Sequence, residues 1–174
     1  HKKILKLSCL ILRHFLLPIP TLPLFRKTFQ WVREVGPSQP LTAAIWFPNP
    51  TLNRELVECS DIVSFHNYKE ADNLKNQIDT LRKHGRPLIC TEYMARSAGS
   101  TFETCLPVFK AEGVGCLNWG LVSGKTGTIY SWQDRGGCME PAIWYHDIFR
   151  RDGTPFSDSE VAFIRTITGA ARGL

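Results

Sequence analysis

No aspartate or glutamate occurs before Glu34, although the same stretch carries seven lysines and arginines. That gap confines the positive balance of the chain, +5 overall, to one end, because residues 34–174 hold 14 basic and 16 acidic side chains. A body slightly negative in net charge has no basic footprint for a phosphate backbone, so nucleic acid is excluded as a partner. The six cysteines include no C-x-x-C pair and no zinc-ligand spacing, and neither a metal nor a cofactor is expected. Cys90 and Cys116 fall in apolar strand-like runs, the usual setting of a free buried thiol, so no disulfide framework is read. Long apolar runs are missing too. Leu7 to Leu12 follows Lys2, Lys3 and Lys6 and is broken by Arg13 and His14, too short and too charged to span a membrane. No small-x-small cleavage site follows it, as a secretory signal would require. With 43% hydrophobic and 21% charged residues, 174 residues suit one domain with its own core and exclude disordered or fibrous classes.

Pro18, Pro20 and Pro23 forbid a helix continuing from the basic start, so residues 1–24 read as an atypical, proline-broken segment and 25–174 as the folded domain. The chain opens on histidine, and its start is expected to lie inside a longer reading frame or after a misplaced boundary. Phe25, Phe29, Val32 and Val35 recur at helical spacing before Gly36-Pro37. Strands are predicted over 41–47, 61–67, 87–92 and 114–119, all four parallel and neighbouring in chain order. Between them lie a helix over 54–59, one with Ala71, Leu74, Ile78 and Leu81 on one face and closed by Gly85, and one opened by a capping box Ser100-x-x-Glu103 and ended by Gly113. Further helices are predicted near Pro141–Arg150 and after Ser157-x-x-Glu160, and Trp31 and Trp144 are assigned to the core. The alternation implies βαβ units and a parallel sheet, either a small open one or half of a closed eight-stranded barrel.

Such sheets place their sites at the carboxyl ends of the strands. Read in order, those ends are Trp46; His66 and Tyr68; Glu92 and Tyr93; and Trp119. Aromatic rings around one carboxylate suit a sugar, whose C–H face stacks on rings while its hydroxyls meet polar groups. A tyrosine or histidine beside Glu92 would keep it ionised for nucleophilic attack. His84 and His146 have no partner in the sequence and read as structural. Gly120-x-x-x-Gly124-Lys125-Thr126 has one residue too few between its glycines for a phosphate-binding loop. The Gly-rich stretch from Gly120 to Gly137 reads instead as a lid or subsite wall.

Pro87-Leu88-Ile89-Cys90-Thr91-Glu92-Tyr93 resembles the seventh strand of retaining glycoside hydrolases of the large (β/α)8 clan that includes cellulases, mannanases and β-glycosidases. Ser64-Phe65-His66-Asn67-Tyr68 is similar to strand six of that clan, and Leu117-Asn118-Trp119-Gly120 to strand eight. The similarity runs from about Phe25 to Thr168 and resembles most closely bacterial proteins described as 1,4-β-xylanase-like or cellulase-like. It implies an α/β fold, a partial (β/α)8 TIM barrel of about four carboxyl-terminal βα units with an irregular amino-terminal segment. It further implies Glu92 as nucleophile, His66 and Tyr68 in contact with it, Trp119 as the floor of the reacting sugar's subsite, and Trp46 as a further substrate-binding ring. The implied partner is a β-linked polysaccharide or oligosaccharide, and the implied location is secreted or periplasmic. In the clan the acid/base is the glutamate of an Asn-Glu pair ending strand four, just before the helix at Phe25–Val35, and this chain carries no acid there. The expectation is a fragment inactive alone and prone to self-association through open barrel edges. The alternative is a non-catalytic, carbohydrate-binding or relic half-barrel.

Overall fold

The computed structural model describes residues 21–134 and 139–170. Residues 1–20, most of the predicted irregular segment, lie outside the described residues. Helix α1 (Leu22–Glu34) starts earlier than its apolar spacing predicts, with Pro23 in the first turn, where a missing N–H removes no hydrogen bond. None of its residues is fully buried, although Phe25 packs against the core. Trp31 is half exposed under the Lys27 ammonium, which corrects its assignment to the core. The helix is tied down by ion pairs of Arg26 with Glu55 and of Arg33 with Asp61.

The described sheet has three parallel strands in chain order, β1 (Val63–His66), β2 (Leu88–Tyr93) and β3 (Gly115–Asn118). The strand predicted over 41–47 is reduced to one parallel bridge, Ile45 to Phe65. Side chains take the backbone groups that a ladder would use. Asp61 accepts from the Leu41 amide, Ser60 Oγ from the Ala43 amide, and Thr42 Oγ1 donates to the Ile62 carbonyl.

Helix α2 (Pro50–Cys59) is capped by the Asn49 side chain, and α3 (Ala71–Arg82) buries Leu74, Ile78 and Leu81. Helix α4 (Phe102–Glu112) buries Phe102, Cys105, Leu106 and Phe109. Its capping box is Thr101 with Thr104, not Ser100 with Glu103; Ser100 is fully buried, its Oγ accepting from the Met94 amide and its carbonyl from the Ala95 amide. Helix α5 (Asp158–Thr168) has Ser157 as its cap, accepting from the Glu160 amide. No helix forms over 141–150. Trp144, Tyr145, His146, Asp147 and Ile148 are buried in succession, whereas a surface helix could bury only one stripe of them. The segment runs extended against 121–129, with the amides of Tyr145 and His146 donating to Ile129 and Thr128, and that of Ile148 to Leu121.

Strict alternation along β2 would put Cys90 and Glu92 on one face. The structure breaks it. Phe65 pairs with Cys90 but the next residue, His66, pairs with Glu92, and the register against β3 slips between Cys90 and Tyr93. Cys90 and Tyr93 both enter the core, Tyr93 against Phe102 and Phe109, so Tyr93 leaves the rim where its position predicts it. Such a bulge re-aims a side chain, and here the side chain is that of Glu92.

Candidate functional site

Glu92 is the penultimate residue of β2, with its side chain 25% accessible. The Tyr68 hydroxyl donates to Glu92 Oε2 at 2.7 Å, and His66 Nδ1 lies 3.2 Å from the same oxygen. Oε1 of Glu92 makes no hydrogen bond among the described residues. Burial, followed by the bond to Glu92, pushes the Tyr68 phenol far above its usual range, so it remains a donor throughout the physiological range. Burial also pulls His66 below the ordinary histidine value, against the opposing charge of Glu92, so near pH 7 the imidazole is neutral.

Aromatic rings surround this pair. Tyr68 meets Trp46 at 5.6 Å, Trp132 at 4.9 Å and His146 at 5.7 Å between ring centroids, and Trp46 also lies 5.7 Å from His66. Trp132 continues the cluster to Tyr145 and His146. Trp46 and Trp132 are each about half exposed and present ring surface to solvent beside the carboxylate. Of the residues predicted from sequence, Glu92, His66, Tyr68 and Trp46 are brought together. Trp119 follows β3, donates its amide to the Tyr93 carbonyl and is 44% exposed, but its ring does not join the cluster among the described residues.

His146 and Trp132 belong to this wall although sequence reasoning leaves one structural and passes over the other. His146 is buried, with Nδ1 2.6 Å from the Met94 carbonyl and Nε2 without a partner among the described residues. Burial pulls its pKa down as well, opposed by the Met94 bond. The available signal was the run Trp144-Tyr145-His146-Asp147, which fits neither a helical stripe nor a strand alternation. Among the described residues no group of three or more His, Cys, Asp or Glu is placed to hold a metal ion.

The two buried imidazoles make a pH prediction. The unfolded chain binds protons at about pH 6.5, while the folded chain, with both pKa values depressed, resists them. Their contribution is therefore complete above about pH 6.5 and is lost as pH falls below it, by at most about 1.4 kcal/mol per pH unit for each histidine. Urea midpoints should drop between pH 7.5 and pH 5.5, and His146→Gln should flatten that dependence. A midpoint independent of pH over this range would show that the rings are not held neutral.

No sequence-family profile matches the chain, and no curated protein matches it by sequence. Solved structures do match its fold. A β-glucuronidase from Ruminococcus gnavus has a TM-score of 0.56 at 18% identity over 82% of this chain, and the same enzyme in complex with D-glucaro 1,5-lactone gives the same values. An agarase, AgWH50C, has a TM-score of 0.50 at 17% identity over 83% of this chain. The chain spans only 29% of the glucuronidase and 25% of the agarase. With its parallel sheet and covering helices, the chain has a glycoside-hydrolase-like fold that corresponds to part of a (β/α)8 barrel.

Proposed function

We propose that this chain is the nucleophile-bearing part of a retaining β-glycoside hydrolase barrel, with Glu92 attacking the anomeric carbon of a β-linked saccharide. The observation that supports this is the Tyr68 hydroxyl 2.7 Å from Glu92 Oε2 at the carboxyl end of a parallel strand, which leaves Oε1 as the free nucleophilic oxygen. His66 beside the same oxygen, and the Trp46 and Trp132 rings flanking it, fit a pyranose held against a carboxylate. Retention needs a second carboxyl group about 5 Å away as acid/base. Among the described residues no second carboxylate shares the hydrogen bonds of Glu92 or contacts its ring cluster. Asp147, next to His146, is engaged by Thr128. Among the described residues none is therefore placed to give the proton that an alkoxide leaving group requires, a contribution of about 10²–10⁴ in rate.

An aryl β-glycoside with an acidic phenol tests this reading. Glu92 Oε1 forms the bond to the anomeric carbon, the C–O bond breaks, and dinitrophenolate departs with the electron pair without needing a proton. The glycosyl–Glu92 ester should persist, since no base activates water. Azide should then displace Glu92 and give a β-glycosyl azide. Mass spectrometry should find the adduct on Glu92, and Glu92→Gln should lack it, while xylan and cello-oligosaccharides stay intact. Absence of an adduct with dinitrophenyl xyloside, glucoside, mannoside and glucuronide alike would overturn the catalytic reading in favour of carbohydrate binding alone.

A further inference from the structure

A cleft of about 240 Å³ opens beside Tyr68 and His66, between the Trp46 and Trp132 rings. Its far wall is formed by Lys69, Asn73 and Gln77. The orientation of that wall is dictated by one backbone bond. The Lys69 amide donates to Asn67 Oδ1 at 2.9 Å, which identifies the other end of the buried Asn67 amide as its nitrogen. That nitrogen donates to Asn73 Oδ1 at 3.1 Å and to Gln77 Oε1 at 2.6 Å. Both partners therefore turn their carbonyl ends inward, and their NH2 groups are left without partners among the described residues. The Lys69 ammonium is exposed and pairs with no acid among the described residues. Lys69, Asn73 and Gln77, each with a donor group that has no partner among the described residues and one of them cationic, thus line the same cleft.

From this geometry we infer that the cleft is a subsite for a carboxylate-bearing sugar unit, a uronic acid, whose carboxylate meets Lys69, Asn73 and Gln77 while its ring lies between Trp46 and Trp132. A neutral hexose would leave the donors without a charged partner, and hydrogen bonds to an ionised acceptor are roughly twice as strong as those between neutral groups. Acidic groups nearby are Glu92 at the inner end and Glu70 and Asp72 at the start of α3. None of the three lines the cleft, and Glu92 is already engaged by Tyr68. The inference deepens the glycosidase reading by naming its substrate class and rests on that reading for the sugar's orientation.

Binding of methyl β-D-glucuronide, methyl β-D-glucoside and the neutral glucuronamide to the full chain, followed by tryptophan fluorescence, tests it. The glucuronide should bind about tenfold tighter than the other two, the step expected from one charge-assisted hydrogen bond. Lys69→Met, made on an exposed side chain, should erase that preference, and Lys69→Arg should retain it. Asn67→Asp should also erase it, because the oxygen that replaces Nδ2 draws the NH2 groups of Asn73 and Gln77 inward. Equal binding of the three glycosides by the wild-type chain, or a preference that survives Lys69→Met, would overturn the subsite. In Glu92→Gln the preference should persist although no adduct can form, so the subsite and the nucleophile fail separately. Adducts without uronide preference sink only the subsite, and uronide preference without adducts sinks only the catalysis.

Discussion

Arg96→Met is expected to destabilise the chain by about 3–5 kcal/mol, the cost of leaving a buried charge without its partner. Arg96 and Glu160 form a two-pronged pair, Nε to Oε1 at 2.9 Å and an η-nitrogen to Oε2 at 2.6 Å, with both side chains under 10% accessible. The remaining guanidinium donors hold the carbonyls of Trp144 and Asp147, at 2.9 and 3.0 Å, and the Phe156 ring lies 4.9 Å away. One side chain thus joins the turn after β2, the extended segment carrying His146, and helix α5. Removing both charges in Arg96→Met/Glu160→Met should restore part of the loss, but not the part due to the two carbonyls left without a donor. Lysine cannot reproduce the fork and should behave closer to methionine than to arginine. Equilibrium denaturation of the three variants measures this. A single variant within 1 kcal/mol of wild type would mean that the pair is solvated in solution.

A second large effect is expected at Gly120, immediately after Trp119. Its φ is +83°, and a Cβ there would sit 2.7 Å from Asp147 Oδ1 and 2.8 Å from His146 Cβ. Gly120→Ala therefore combines a left-handed backbone cost of about 1–2 kcal/mol with an overpacking cost of about 1–3 kcal/mol. Gly113 supplies an internal control. Its φ is +62° at the end of α4, and nothing lies within 4 Å of where its Cβ would be. Gly113→Ala should show only the backbone part, and the difference between the two variants measures how tightly the turn after β3 is pressed against the His146 segment. Equal losses at both positions would remove the contact from the account.

The same contacts explain what could be read from the sequence. Helix α3 was legible because Leu74, Ile78 and Leu81 are buried by one continuous stripe, and β2 because an apolar run sits between Pro87 and a carboxylate. The neighbourhood of Glu92, Tyr68 and His66 was legible from strand ends, since adjacent parallel strands bring their last residues together. The segment 41–47 was not, because the amides of Leu41 and Ala43 are taken by Asp61 and Ser60, side chains whose roles no periodicity records. Nor was 141–150, where Trp144 and Ile148 stand four residues apart and mimic a helical stripe while the residues between them are buried too. Trp132 and His146 were missed because their ring partner, Tyr68, lies far back in the chain, beyond any local pattern. Tyr93 was misplaced because a register slip cannot be seen in an alternating string of side chains.

The distant origin of the clamp around Met94 and Arg96 sets an order of events for a chain leaving the ribosome. Met94, at φ +78° the only non-glycine residue with positive φ among those described, follows the carboxylate strand directly, and its carbonyl is held by His146, 52 residues later. Arg96 waits still longer, for Glu160, 64 residues on. Closing a loop of that length costs about 3.7 kcal/mol of chain entropy, so these bonds follow the local pairing of β1, β2 and β3. The sheet that carries Glu92 can thus be complete while the wall beside it is still being synthesised. The rim around Glu92 is completed only after the sheet beneath it.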